Sequence, residues 1–499
     1  MNLTKELLQQ IASPHLSLNE RAELRCRLAK QLQESSNYEA AREALGDFWQ
    51  LVGEQVEELE PRIRAEVLLR SGSITTALGS SETIPGNQEI AKDLLSESFT
   101  IFERLRDQEK MAEAEIEMAV CYWRSGAFDE ARVMLQLALA RLVDGNCDLK
   151  ATALLRSAIV EGSSKRFYEA LRIYGEAAPI VDKSANLILR GKFHHFFGTL
   201  LRKLGEAEHR LDYVDRALIE YAAASFYFEQ VELTRHQACV ENNLGFLFGY
   251  IGNFTEAHEH LDRAQMLFTG LKDDVHLAQV DETRARVMLA EGRLVEAEKT
   301  ARAAVRTLEK GDEQSLLAES LTTHGIAQAR LKHPEQAHAT LERAINVAER
   351  AGDLESAGNA ALVMVEELGT FLSNDDLKAT VDRARELLAN TQEFSTLKRL
   401  TACASRVLSL VHDRPGLPRS VDWTDFSLKR AVLHYEAHFI GLALDATGGV
   451  VTRAARLLGF NHHQSLLALL NGRHKNLRER NTPIVPRRRS IIRTPHPRR

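Results

Sequence analysis

One periodicity constrains this chain more than any other feature. Alanine stands at Ala41, Ala91, Ala131, Ala170, Ala217, Ala257, Ala297 and Ala337, at spacings of 50, 40, 39, 47, 40, 40 and 40 residues. Positions four, seven and eleven residues beyond each anchor continue an apolar stripe, as in Ala257, Leu261, Ala264 and Phe268 or Ala131, Leu135, Ala138 and Leu142. These steps follow the turn of an α-helix that buries one face. Twelve residues before each anchor stands Gly or Ala: Ala29, Gly79, Ala119, Ala158, Gly205, Gly245, Ala285 and Gly325. A small residue there lets two antiparallel helices approach closely.

Between the two small positions come turn residues and a bulky plug, as in Gly126-Ala127-Phe128-Asp129-Glu130 and Gly252-Asn253-Phe254-Thr255-Glu256. Each unit therefore reads as helix, tight turn, helix. One such pair cannot bury its own apolar face, so the units must stack into an all-α solenoid whose inner face is lined by first helices. With Gly at 28, Pro at 11 and aromatics at 6% of 499 residues, a large sandwich or barrel is excluded.

These residues resemble the tetratricopeptide family, whose pattern places Leu-Gly in the first helix and small-x-x-x-bulky in the second. Leu244-Gly245 with Phe248, Ala257, Leu261 and Ala264 is the nearest match, and the resemblance runs over roughly residues 20–410. The units average about 40 residues against about 34 in the family. Arg284 and His324 stand where Leu is expected. The resemblance implies a superhelix of about eight or nine units over residues 1–412, with a protein, peptide or small effector in its groove. The unit near Leu377 is degenerate and is expected to cap the array.

Charge divides the chain. From Asp425 onward stand 14 Lys and Arg against 4 Asp and Glu, while residues 1–424 hold 50 against 66. An acidic body with a basic end places any polyanion at that end. Arg414-Pro415-Gly416-Leu417-Pro418 cannot continue a helix, so residues 413–424 form the linker.

After the linker, Asp425 to Ala446 reads as one amphipathic helix with Ala431, Val432, Tyr435, Phe439, Leu442 and Ala443 on its apolar side, ended by Gly448-Gly449. The run Thr452 to Phe460 gives a short helix with small Ala455 four residues before Gly459, and a second helix follows with Leu466, Leu469 and Leu470. This is the packing pattern of a helix-turn-helix. Residues 425–477, with Thr447-Gly448-Gly449 and Thr452-Arg453-Ala454-Ala455-Arg456-Leu457-Leu458-Gly459-Phe460, resemble the Fis-type DNA-binding domain. Val450 replaces the family's usual Asn, and the turn after Gly459 is one residue longer.

The resemblance implies double-stranded DNA as partner and a homodimer paired through the Asp425–Ala446 helix. The start of the second helix would offer His462, His463, Gln464, Ser465 and Ala468 to base edges, with Asn461 as cap. Arg453, Arg456, Arg473, His474 and Lys475 would contact phosphates. Residues 478–499, with eight Arg including Arg487, Arg488 and Arg489 among four Pro, read as a disordered basic tail, available to a phosphate backbone or simply solvated.

Other chemistry is sparse. Five Cys stand singly, without a C-x-x-C pair, and no start signal or long apolar run occurs, so a cytoplasmic protein is expected. His194-His195, His258/His260 and His462-His463 lack partners at ligand spacing, so no metal is expected. No phosphate loop or catalytic run is present, so neither enzyme activity nor a cofactor is expected. Phe193–Phe254 holds twelve of 28 Phe and Tyr, which core packing explains in part. Within it, Asn242, Asn243 and Phe246 are the groove candidates, with helix capping or simple exposure as the alternative for the two asparagines. A scaffold whose last helices only cap or dimerise is the rival to a DNA-binding regulator.

Overall fold

The computed structural model describes residues 2–11, 13, 15–50, 58–78, 87–143, 147–311, 313–391, 393–412 and 427–480. The linker 413–424 and Arg487, Arg488 and Arg489 lie outside the described residues. The chain falls into two compact units, Met1–Val411 and His412–Arg499.

In the first unit α1 (Asn2–Ile11) leads into nine helical hairpins among the described residues. They pair α2 (Leu18–Glu34) with α3 (Tyr38–Leu45), α4 (Pro61–Leu78) with α5 (Asn87–Leu105), and α6 (Gln108–Arg124) with α7 (Phe128–Arg141). Next come α8 (Cys147–Ser163) with α9 (Phe167–Val181), α10 (Leu187–Glu208) with α11 (Leu211–Gln230), and α12 (Thr234–Tyr250) with α13 (Phe254–Leu271). The array ends with α14 (Asp274–Glu291) and α15 (Leu294–Leu308), α16 (Gln314–Arg330) and α17 (Pro334–Arg350), α18 (Leu354–Leu368) and α19 (Asn374–Leu387), then a single helix α20 (Phe394–His412). The fold is an all-α tetratricopeptide-like superhelix.

All eight alanine anchors are fully buried. At each, a methyl is the largest group that lets the first helix close on the second. The opposing small residue is equally constrained. A Cβ on Gly245 would lie 2.6 Å from Leu261 Cγ, and one on Gly325 would lie 2.6 Å from Leu341 Cγ. In the second hairpin Gly72 plays this role, its added Cβ meeting Leu95 Cγ at 2.7 Å, while Gly79 lies outside the described residues. The longest pair, α10 with α11, repeats the device three times. Gly191, Gly198 and Gly205 face Phe228, Tyr221 and Val214, and an added Cβ would stand 2.6, 2.9 and 2.8 Å from them. Each set advances by seven residues, in opposite directions along two antiparallel helices.

The unit near Leu377 departs from expectation. Leu377, Val381, Ala384 and Leu388 are buried at the same steps as in the other hairpins, with Leu in the anchor position. A complete hairpin forms, and α20 closes the core through Leu400, Cys403, Ala404 and Val407.

Successive turns of the superhelix touch. Ser36, between α2 and α3, meets His236 on α12, and Lys192 on α10 donates to the Glu34 carbonyl at 2.7 Å. Lys165, between α8 and α9, pairs with Glu355 on α18 at 3.0 Å and Glu393 at 3.8 Å. Both the Ser36 and the Lys165 contacts link a hairpin to the one five places further on, which sets the superhelical repeat.

In the second unit α21 (Leu428–Ala446), α22 (Val451–Leu457), α23 (His463–Asn471) and α24 (Lys475–Arg480) surround one small core of Ile440, Ala443, Leu444, Ala454, Ala455, Leu466 and Leu470. Ser427 Oγ caps α21 by accepting from Arg430 N at 3.4 Å.

Candidate functional site

In the second unit Ala455 is buried at the crossing of α22 and α23, and Gly459 turns the chain with φ +74°. A left-handed residue there reverses direction without a side-chain clash. The turn leaves His462, His463, Gln464, Ser465 and Ala468 exposed on α23, while Leu466 and Leu470 point inward. Arg453, Arg456 and Lys475 are also exposed.

Three expected roles change. His474 is buried, with Nε2 2.9 Å from Glu436 Oε2, so it is a packing and hydrogen-bonding residue and cannot reach a phosphate. Arg473 remains exposed but donates to the same carboxylate at 2.8 Å, which offsets its charge. Asn461 does not cap α23. The cap position is His462, with no side-chain cap bond.

Helix α21 is also more complex than a single apolar side. Ile440, Ala443 and Leu444 enter the core, whereas Leu428, Val432, Phe439 and Leu442 are 68, 49, 57 and 53% exposed. With half-buried Tyr435 these form a stripe stepping by four and three residues, the spacing of a coiled-coil seam.

In the solenoid the three groove candidates fall on α12. Asn243 Nδ2 donates to His195 Nε2 at 3.2 Å, and the Phe246 ring lies between the guanidinium groups of Arg202 and Arg286, 5.0 and 4.6 Å away. Asn242 is buried and its Oδ1 has no hydrogen-bond partner. Both asparagines lie in mid-helix, so neither is a cap. The aromatic enrichment nearby is largely structural, since Phe193, Phe197, Tyr213, Tyr221 and Phe228 are buried in one core. The histidines pair singly with carboxylates, His194 with Glu220 and His260 with Glu241, and no group of three potential metal ligands occurs among the described residues.

A larger feature, which the sequence reading passed over, is a cavity of about 500 Å³ walled by the first five hairpins. Ionic groups fill one side of it. Buried Arg70 donates to Glu113, which also accepts from Lys30 at 3.0 Å and Lys110 at 3.0 Å, while Lys110 reaches Glu66 at 2.5 Å. Burial pushes the Glu113 carboxyl up, but Arg70, Lys30 and Lys110 outweigh it and hold the group well below the usual carboxylate range. At the other side stand Arg124, Arg156 and Lys192 beside Val120, Leu155 and Phe196. Several of these polar residues sit two places before the small residue of a first helix: Arg70, Glu117, Arg156, and further along Lys203 and Asn243. That register was the available signal.

No protein-family model matches the chain, and no curated protein does. Among solved structures it is similar to a Rap protein complexed with competence and sporulation factor (TM-score 0.47, 14% identity, 69% of this chain and 99% of that one). It is also similar to yeast Tom70 (0.45, 12%, 79% and 83%) and to the apo quorum sensor NprR from B. thuringiensis (0.42, 12%, 77% and 92%). No helix among the described residues is long and apolar enough to cross a membrane.

Proposed function

We propose that this chain is a DNA-binding transcriptional regulator whose solenoid takes a protein, peptide or small effector on its inner face and whose Fis-type helix-turn-helix reads double-stranded DNA. The observation that carries this reading is the exposed polar start of α23, His462 to Ser465, flanked by exposed Arg453, Arg456 and Lys475. A helix start with this inventory suits the major groove. Gln can bond adenine bidentately, Ser can bond either partner, and arginines on the preceding helix suit phosphates. The charge balance of 14 against 4 from Asp425 onward favours a polyanion at this end.

A homodimer fits the same reading. The exposed Leu428, Val432, Phe439 and Leu442 stripe offers a seam, and a two-fold protein reads two half-sites about one DNA turn apart. The stripe also gives the scaffold reading its one specific support, since a dimerising helix needs no DNA. The two readings separate in one experiment, selection of genomic fragments by the purified full-length protein followed by gel shift across a salt series. A regulator yields a recurrent motif and binding that weakens steeply with salt. Absence of any salt-sensitive shift leaves the scaffold.

A further inference from the structure

We propose that the cavity walled by the first five hairpins binds an organic anion, its phosphate or carboxylate head held by Arg156 on α8 and Lys192 on α10 and its apolar body against Val120, Leu155 and Phe196. This rests on reading the solenoid's inner face as the effector surface of the regulator.

Buried or half-buried cations ordinarily have a counter-charge, because desolvation is otherwise uncompensated. Four other cations of this cavity follow that rule: Arg70, Lys30 and Lys110 share Glu113, and Arg62 donates to Asp107 at 3.0 Å. Arg156 has no hydrogen-bond or ion-pair partner among the described residues, and the Lys192 ammonium donates only to the Glu34 carbonyl. Both cations line the same cavity. Burial first, and then the Arg156 charge, push Lys192 down to about 8, and the same Arg156 charge also lowers Arg124 after burial.

The carboxylates nearby do not neutralise this pair. Glu117 accepts from Ser73 Oγ at 2.5 Å and forms no ion pair within 4 Å among the described residues, and Glu34 engages Lys192 through its backbone carbonyl. Each acid pulls the other way on Lys192, and each less strongly than Arg156. A volume of about 500 Å³ suits a small ligand, pockets for which span roughly 300–1,000 Å³. Because Lys192 also holds Glu34 across the superhelical turn, an anion drawn to it reaches the contact that closes the cavity.

The test is calorimetric titration of the full chain with phenyl phosphate and, separately, phenylacetate, at matched ionic strength in chloride. Saturable binding of one probe per chain is expected, the better of the two identifying the head group. Affinity should fall about tenfold or more in Arg156→Gln and in Lys192→Gln and stay unchanged in Arg286→Gln, further along the same face. Arg156→Gln should also melt at a higher temperature than wild type without ligand, because an unpaired like charge is removed. Failure of both probes to bind, or equal binding by wild type, Arg156→Gln and Lys192→Gln, overturns the proposal. A negative gel shift would sink the regulator and leave this site standing.

Discussion

Ser36 Oγ and His236 Nε2 lie 3.2 Å apart although 200 residues separate them in the chain. The contact joins the first hairpin to the sixth, next to the Lys192 bond to Glu34. Its surroundings favour the neutral ring. Burial first, and then the charge of Lys192, push His236 down to about 3, and burial pushes neighbouring His195 down to about 4. In the unfolded chain both rings take up a proton near 6.5. The folded form therefore excludes protons that the unfolded form binds, so the stabilisation is whole above pH 6.5 and is lost progressively as pH falls toward 4. Thermal melts from pH 7.5 to 4 should show a falling midpoint for wild type. His236→Gln should show a shallower fall, and an identical slope in the two proteins would dismiss the contact as an acid-sensitive point.

The α10 and α11 pair should be the least tolerant of added volume. Gly198→Leu would drive a branched side chain into the Tyr221 ring, whose hydroxyl donates to Thr199 at 3.2 Å. Overpacking of a filled interface costs about 1–3 kcal/mol, occasionally more. Gly270→Leu, at a site where an added Cβ meets nothing within 4 Å, should stay within about 0.5 kcal/mol. Urea unfolding followed by helical circular dichroism would rank them, and equal midpoints would contradict the close approach.

These results separate what the sequence could and could not convey. The alanine anchors were legible because a fixed seven-eleven stripe must be buried whatever the turns do, and all eight are. Gly72 was not legible, because the twelve-residue step from Ala91 does not reach it. Leu377 read as degenerate because a large anchor breaks the alanine rule, yet the stripe beyond it keeps the same steps. His474 could not be read at all. Its burial depends on Glu436, 38 residues earlier on another helix, and a His-Lys pair in a basic segment otherwise suggests exposure. Lys192 was hidden for the same reason, since only the superhelical turn brings α10 against Glu34.

If the second unit binds DNA as proposed, its cations and its polar helix start should fail in different ways. Arg453→Ala removes an exposed charge on α22 that makes no ion pair among the described residues. It should weaken binding about equally on all sequences and lower the salt slope by about one. Gln464→Ala should instead cost about 1–3 kcal/mol on the selected site and little on unrelated DNA. Arg473→Ala should change the slope less than Arg453→Ala, because Glu436 already faces that guanidinium. Competition gel shifts at several salt concentrations distinguish the three, and a uniform loss in all of them would remove base reading from α23.

The seam on α21 yields the last prediction. Phe439 is 57% exposed in the middle of a stripe whose other members step by four and three residues, while Ile440, beside it in sequence, is buried in the unit's own core. The two positions can therefore be separated by substitution. Phe439→Glu places charge on the exposed stripe and leaves the core untouched, so the unit should keep its fold while a seam made by that stripe loses its centre. Ile440→Glu buries an unpaired carboxylate and should unfold the unit outright. Sedimentation of full-length wild type and Phe439→Glu should give a dimer and a monomer, with similar helical content in the two. If wild type sediments as a monomer across the micromolar range, the stripe is not a self-association surface, and palindromic operator recognition loses its structural basis.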